Sequence, residues 1–266
     1  MVQEGLRVVR MSLAILTLFG LLVTPPSGHA QSQDSNTIPA WVQFTIAQVE
    51  PDMVPEFLAI QDALMQMAKD GGKPWRTVSR TAVFGDQYRF VIATPGESLA
   101  SFASLDKKTS VNSSLYVRLE KTISSFHSYA VRTLPALDNP LPADRIPTVM
   151  VINISKVAPG REQEYYRIME EDVFPHFNEA EMYHSSGSLA LGGEGGYIHL
   201  FYLDDFASLD QGSPVVRALG PSGAQVVTAK LSGIVISTEQ WVARLLPELS
   251  FGPWSKDPEA GHSNRK

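Results

Sequence analysis

One segment of the chain returns, with its residue types in the same order, about 108 residues later. The segment IPAWVQFTIAQVEPDMVPEF begins at Ile38, and IPTVMVINISKVAPGREQEY begins at Ile146. The pentapeptide FASLD also occurs twice, and VRTLPAL is matched further along by ARLLPEL. Three blocks in the same order predict a duplicated unit of about 105 residues, which is longer than a solenoid repeat and long enough for a small domain.

Each copy has the pattern strand, helix, strand, strand, helix, strand. In the first copy, the alternation over Trp41–Val49 predicts a strand, and the apolar spacing over Pro51–Asp70 predicts a helix that ends at Gly71 and Gly72. Two β-rich runs joined by a short glycine-containing turn predict a hairpin in each copy. The order βαββαβ is that of a ferredoxin-like unit, so the predicted class is α+β.

The first strand of each copy has one apolar face and one mixed face. We expect the apolar face to meet the helices and the opposite face to line either the interface between two sheets or a cavity. The residues of the apolar face are Val42, Phe44 and Ile46 in the first copy and Met150, Ile152 and Ile154 in the second. Two such units in one chain can cover each other and close an α/β barrel within the chain.

The first 30 residues have the pattern of a secretory signal peptide. Arg7 and Arg10 precede the apolar run Met11–Val23, which is too short to cross a bilayer as a helix, and small residues lead to Ala30. We therefore expect cleavage after Ala30 and a soluble protein in the periplasm or outside the cell. The remaining predicted boundaries are a flexible segment 31–37, a first repeat 38–138, a linker 139–145, a second repeat 146–250 and a loose tail 251–266.

Composition narrows the classes of partner. The chain has 44% apolar and 19% charged residues, no cysteine and a formal net charge of −6. The lack of cysteine excludes a disulfide scaffold, and the acidic balance with scattered basic residues argues against nucleic acid and against a membrane surface as partners. A small hydrophobic molecule is the expected partner, and a homo-oligomer is compatible with the sequence.

With these repeats and this strand order, residues Ile38–Leu249 resemble the dimeric α/β-barrel (ferredoxin-like) superfamily, as a tandem-repeat member. The resemblance implies ferredoxin-like units that pair through their sheets. Families that look similar include the antibiotic-biosynthesis-type cofactor-free monooxygenases and the haem-binding chlorite-dismutase-like group. No motif in the sequence selects one subfamily.

The histidines are concentrated in the second copy. His184 and His199 lie on its predicted hairpin, next to Tyr183 and Tyr197. We predict that they act as catalytic bases facing an apolar cavity, with the two tyrosines binding the ligand. Both histidines could instead be structural, as buried strand histidines often are. The GGEGG turn also leaves open whether His184 and His199 share a sheet face. In the repeat alignment, His199 takes the place of Phe90, and His184 that of Trp75 or Arg76.

Other candidate residues come from the aligned fourth strands and from a helix. Tyr129 and Trp241 align and could line a ligand pocket. Arg132 and Arg244 also align, and they could bind an anionic group or serve only as structural charges. His176, in the helical stretch EEDVFPHF, would be the haem ligand if the chain resembles the chlorite-dismutase-like group in this respect. No histidine spacing typical of a metal site occurs, so we predict no metal.

The sequence therefore predicts an exported α/β-barrel protein that binds a small hydrophobic or aromatic molecule, either as a simple binder or as a cofactor-free monooxygenase-like enzyme. Two alternatives stay open. The first is a non-catalytic structural or interaction module whose barrel is filled by side chains. The second is a haem-binding protein of chlorite-dismutase-like type, and haem is the cofactor of that alternative alone.

Overall fold

The computed structural model describes residues 39–102, 113–142 and 145–252. The predicted signal peptide, the flexible segment 31–37, most of the first FASLD block and the tail after Gly252 lie outside the described residues. The strands are β1 (Trp41–Val49), β2 (Thr77–Thr81), β3 (Arg89–Gly96), β4 (Ile123–Thr133), β5 (Val149–Val157), β6 (His184–Leu191), β7 (Tyr197–Leu203) and β8 (Val235–Leu245). The helices are α1 (Val54–Asp70), α2 (Ser113–Glu120), α3 (Glu162–Ile168), α4 (Phe174–Glu179) and α5 (Pro214–Leu231), and a π-helical turn, Met169–Val173, joins α3 to α4.

The eight strands form one closed antiparallel barrel in the order β1-β3-β2-β8-β5-β7-β6-β4, with β4 pairing back to β1. The first half contributes the block β2-β3-β1-β4, and the second half contributes β6-β7-β5-β8. The two blocks meet at the seams β2–β8 and β4–β6. The predicted α+β class and the closure of an α/β barrel within one chain are therefore confirmed.

Local sequence explains where the first helix begins and ends. Pro51 opens a short 3-10 turn whose missing backbone N–H is tolerated at a helix start, and α1 follows directly. The backbone N–H of Gly71 donates to the carbonyl of Met67, and Gly72 adopts a φ of +72°, which glycine reaches without a Cβ clash. Strand β1 has the predicted bounds.

The prediction of which strand face meets the helices was wrong. Phe44, Met150 and Ile152 lie inside the barrel, in a cluster formed by strand and loop residues of both halves. Val149 and Val151, from the opposite face of β5, pack instead with helical residues such as Phe177. Alternation defines two faces without saying which one a closed barrel encloses. The enclosed face collects large apolar side chains, while the helix-covered face also admits polar groups that bond to neighbours.

Three clusters of buried side chains result. The barrel interior is one, and each half has a second cluster between its strands and its helices. In the first half this outer cluster consists of Ala47, Val49, Phe57, Val78, Phe90 and Leu249. The outer cluster of the second half is larger and includes Tyr165, Met169, Phe174, Phe177, Tyr197 and Phe201. In the described part of the chain, no helix is both long enough and apolar enough to span a bilayer.

The start of the predicted loose tail is ordered. Phe251 is buried, and its backbone exchanges hydrogen bonds with Arg76 just ahead of β2. In the second half, Asn139 pairs in the same way with His184, the first residue of β6. The chain after each fourth strand thus runs on beside the second strand of the other half.

Candidate functional site

His184 and His199 share one sheet face. His184 pairs with Phe201 across the β6–β7 hairpin, and Ser186 pairs with His199, so the two-residue period of a strand places both imidazoles on the same side. That side is covered by α3, the π-helical turn and α4. Both side chains are buried, and both lie close to the ring of Phe174 from the covering helix. The cluster of His184, His199, Tyr165, Ser186 and their aromatic neighbours is called the histidine cluster below.

Both ring nitrogens of His199 are hydrogen-bonded. The hydroxyl of Ser186 donates to the carbonyl of Leu137 at 3.2 Å, so its oxygen accepts from Nδ1 of His199 at 3.0 Å. This leaves Nε2 as an acceptor, and the hydroxyl of Tyr165 donates to it at 2.9 Å. Burial, with a smaller contribution from His184, lowers the pKa of His199 to about 3. His199 is therefore neutral at pH 7, with a defined tautomer.

His184 has one satisfied nitrogen and one without a partner. Its Nδ1 lies 3.0 Å from the carbonyl oxygen of Met182, so this nitrogen carries the proton and donates it. Nε2 is buried and has no hydrogen-bond partner among the described residues. Burial lowers the pKa of His184, and the carbonyls of Met182 and Leu137 offset only part of that effect. The lone pair of a neutral imidazole is thus left free inside the protein.

Aromatic rings enclose His184. Phe174 stacks on the imidazole with ring centroids 4.4 Å apart and an interplanar angle of 11°, and Phe177 meets it edge-on at 5.4 Å. Phe201 lies on the sheet side at 6.3 Å. An apolar enclosure of this kind excludes water and keeps the imidazole uncharged.

The cover over the histidine cluster is an irregular helix. Five residues, Met169–Val173, form a π-helical turn, and Pro175 stands near the start of α4. A π turn is rare in proteins and occurs often at functional sites. Phe174 follows this turn directly, so the ring that stacks on His184 is held by the least regular part of the helix.

Of the predicted ligand-binding tyrosines, one joins the histidine cluster. Tyr197 stacks on Tyr165 with centroids 4.5 Å apart, and its hydroxyl donates to the carbonyl of Glu162 at 2.9 Å. Tyr183 lies on the other sheet face, where the guanidinium of Arg145 covers its ring at 5.1 Å. The side chains of the adjacent residues Tyr183 and His184 therefore lie on opposite faces of the sheet.

The other predicted ligand-binding residues are divided between the barrel interior and its outer surface. Tyr129 and Trp241 lie in the barrel-interior cluster, and the Nε1 of Trp241 is buried without a partner. Arg132 and Arg244 are exposed on the outer surface of β4 and β8. The guanidinium of Arg244 covers the ring of Phe206 at 5.7 Å.

His176 does not fit the role of a haem ligand beneath the helices. Its side chain is exposed, and its Nδ1 lies 3.3 Å from a carboxylate oxygen of Glu179 in the next helical turn. Phe174 and Phe177, from the same helix, are the residues that reach the sheet. Their rings pack against His184, whereas His176 lies on the exposed side of the helix.

The structure also corrects part of the repeat alignment. Ile92 pairs with Thr45, and His199 pairs with Asn153, the counterpart of Thr45, so His199 corresponds to Ile92 and not to Phe90. His184 corresponds to Arg76, one of the two expected positions, by the β bridges described above. Arg76 is itself buried, and its Nη2 donates to Oε1 of Gln61 at 2.5 Å.

Tyr165 and Ser186 are site residues that sequence reasoning missed. Tyr165 is 34 positions from His199, on a different element, and no local spacing connects the two. Ser186 lies two residues after His184 on a strand, so it shares the face of that histidine. This two-residue spacing was the available sequence signal for Ser186. It indicates a site residue only when that face of the strand is known to be buried.

Two depressions lie outside the histidine cluster. A groove of about 320 Å³ on the outer side of β8 is lined by residues that include Phe84, Val151, Leu209, Pro214, Trp241 and Val242. A smaller pocket of about 100 Å³ lies where the loop before β5 meets the ends of β7 and α4, and Arg145, Glu181, Tyr183, Tyr202, Asp204 and Arg217 line it.

No protein-family model matches the sequence, and no curated protein is significantly similar to it. Solved structures with a similar fold include a putative monooxygenase from Fusobacterium nucleatum, with 12% identity, a TM-score of 0.56 and coverage of 77% of this chain and 92% of that one. An anthrone oxidase-like protein has 12% identity and a TM-score of 0.55, with coverage of 79% and 94%. An arginine-to-lysine variant of chlorite dismutase from Candidatus Nitrospira defluvii has 12% identity and a TM-score of 0.52, with coverage of 80% and 94%. At this identity the likeness shows the fold alone, and this chain therefore has the fold of the dimeric α/β-barrel proteins, closed within a single polypeptide.

Proposed function

We propose that this protein binds a small planar aromatic molecule in the histidine cluster and oxidises it without a cofactor, with His184 as the base. The observation that carries the proposal is the free Nε2 of His184. A buried polar atom without a partner costs folding free energy, and such atoms are few in native proteins. A ligand that donates a hydrogen bond or a proton to Nε2 would satisfy it.

The surroundings of His184 suit proton abstraction from a weakly acidic C–H or O–H group. The imidazole is neutral at pH 7, its tautomer is held by the carbonyl of Met182, and its lone pair lies among aromatic rings. For a methylene group between two aromatic rings, transfer of the proton to Nε2 leaves a carbanion. The carbanion reduces dioxygen, one oxygen atom is retained as the carbonyl of the product, and the other leaves as water. The names of two fold relatives, a monooxygenase and an anthrone oxidase-like protein, are consistent with this reaction class.

His199 has a positioning role in this proposal. Its Nε2 lone pair is occupied by the hydroxyl of Tyr165, so it cannot take a proton from a ligand without breaking that bond. Burial raises the pKa of Tyr165, which keeps the phenol protonated and donating. The chain from Tyr165 through His199 and Ser186 to the carbonyl of Leu137 thus stabilises one arrangement of the polar groups beside His184.

The ligand reaches His184 by taking the place of the Phe174 ring. A shift of the π-helical turn Met169–Val173 toward α-helix would rotate the start of α4 about its axis by roughly one residue, or about 100°. That rotation carries Phe174 off the imidazole and opens a flat slot between His184 and the helix. A planar aromatic molecule can stack on the imidazole as the Phe174 ring does.

Oxygen consumption with anthrone as the probe substrate tests the proposal. We expect the metal-free protein, in the presence of a chelator, to consume dioxygen and form anthraquinone. The His184→Phe variant, which keeps an aromatic ring in the enclosure, should lose at least about a hundredfold in rate, as is typical for removal of a general base. The matched control is His127→Phe, because His127 is exposed and lies outside the histidine cluster. Equal rates for wild type and His184→Phe would contradict the assignment of the base.

A wild-type protein that neither turns over anthrone nor changes the ¹⁵N shift of the His184 imidazole in its presence would favour the non-catalytic module. We also propose that the protein acts outside the cytoplasm, on the strength of the signal-peptide pattern. N-terminal sequencing of protein recovered from the extracellular or periplasmic fraction of its host tests this proposal, and the expected mature chain begins at Gln31.

A further inference from the structure

The 100 Å³ pocket at the end of β7 is lined by an arginine with one buried guanidinium nitrogen that has no partner among the described residues. Arg217, on the first turn of α5, lines this pocket, and its Nη1 is buried and makes no hydrogen bond. No ion pair in the described part of the chain involves Arg217. Guanidinium groups that are withdrawn from water are normally paired with an acceptor, because desolvation of an unpaired charge is costly.

The acidic residues of the pocket do not supply that acceptor. Asp204 is ion-paired with Arg145, whose guanidinium also covers the ring of Tyr183. Glu181 is exposed at the rim of the pocket. The charges of Arg145 and Asp204 offset each other, so Arg217 is the lining cation that has no ion-pair partner among the described residues.

Part of the remaining lining is apolar, and the space is small. Leu141 and Leu203 are buried side chains of this pocket, and Ile146 and Pro147 form part of its wall. A volume of about 100 Å³ corresponds to roughly three water molecules at liquid density. It suits a ligand of a few heavy atoms with one charged end and one apolar end.

We propose that this pocket binds a short-chain monocarboxylate, with the carboxylate accepting from Arg217 and the alkyl end against Leu141 and Leu203. Carboxylates match the planar donor geometry of a guanidinium and form charge-assisted hydrogen bonds with it. The carboxylate of Glu181 at the rim disfavours an anion with a second negative charge. The pocket lies on other residues than the histidine cluster, so this site does not depend on the proposed oxidation.

Calorimetric titration with sodium butyrate, at an ionic strength held constant with sodium chloride, tests the site. We expect saturable binding to the wild-type protein and a loss of at least about tenfold in affinity in Arg217→Met, which keeps the unbranched stem but removes the donors. Arg167→Met is the matched control, because Arg167 is an exposed arginine on α3 away from the pocket, and it should bind butyrate as the wild type does.

A second variant distinguishes loss of the binding group from a folding defect in Arg217→Met. Arg217→Lys keeps the positive charge without the planar donor pair and should show intermediate affinity, while urea unfolding checks that each variant is folded. Equal binding by wild type and Arg217→Met would overturn the proposal, and so would the lack of saturable binding to the wild type up to about 20 mM butyrate. Neither result bears on His184, because anthrone oxidation is measured without butyrate.

Discussion

The hydroxyl of Tyr165 lies 2.9 Å from Nε2 of His199, and both side chains are buried. Removal of the hydroxyl in Tyr165→Phe leaves an imidazole acceptor without a partner inside the protein. We therefore expect the free energy of unfolding to fall by about 1–3 kcal/mol, measured by urea denaturation.

The matched control for this hydroxyl is Tyr166→Phe on the same helix. The Tyr166 hydroxyl donates to a carboxylate oxygen of Glu170 at 3.2 Å and is only partly buried, so its removal should change the free energy by less than about 0.5 kcal/mol. Equal effects of the two substitutions would show that the Tyr165–His199 bond contributes no more than a surface contact.

The two buried histidines make stability depend on acid pH. Their pKa values are lowered in the folded protein, to about 3 for His199, whereas an unfolded histidine titrates near 6.5. Between these values the unfolded chain binds more protons, so the free energy of unfolding falls as the pH drops below about 6.5. Each histidine that stays neutral contributes about 1.4 kcal/mol per pH unit.

Urea unfolding at pH 7.5, 6.5 and 5.5 measures this dependence. Over this range the wild type should lose more stability than His199→Gln, because glutamine does not titrate. His176→Gln, at an exposed position, should follow the wild-type curve. A His199→Gln curve parallel to that of the wild type would mean that His199 is protonated in the folded state.

Asp138 has the opposite effect on the pH dependence. Burial raises its pKa to about 7, although the backbone N–H of Ser186 donates to its carboxylate at 2.5 Å. The folded state then keeps a proton that the unfolded chain releases near pH 4, so this residue lowers the free energy of unfolding as the pH rises from about 4 to 7. Asp138→Asn can still accept from Ser186 and should be more stable than the wild type above pH 7.

Thermal unfolding of Asp138→Asn at pH 5 and pH 8 checks this difference. The gain over the wild type should be present at pH 8 and small at pH 5, where the wild-type carboxyl is largely protonated. The exposed Asp210→Asn serves as the control and should show no such difference. A gain of equal size at both pH values would exclude the raised pKa as its cause.

The GGEGG turn between β6 and β7 includes a close backbone approach at Gly192. Gly192 has a φ of +89°, and a Cβ at this position would collide with the carbonyl oxygen of Ser128 in β4. Gly195 has a similar φ, of +87°, but a Cβ there would meet nothing. Gly192→Ala should therefore lower the melting temperature more than Gly195→Ala, which measures backbone strain alone. Equal shifts would show that the strand contact yields easily.

The elements of the fold could be predicted from periodicity, because the alternation in Trp41–Val49 and the helical spacing up to Asp70 are local properties. The sequence did not predict which face of each strand the barrel encloses. Phe44 and Gln43 lie on opposite faces of β1, but their alternation does not say which face points inward. Only part of the histidine cluster could be predicted from the sequence. The sequence shows His184 and His199 on one hairpin, but their common face and the contact with Tyr165 depend on register and on helix packing.

Closure of the barrel within one polypeptide has a consequence for how the two halves can change. In a barrel made of two identical chains, every substitution appears twice, so a residue that suits one half must also be tolerated in the other. Here His184 stands where the first half has Arg76, and His199 stands where it has Ile92. One half can therefore acquire chemistry at its helix-covered face while the other keeps an inert core that holds the barrel together.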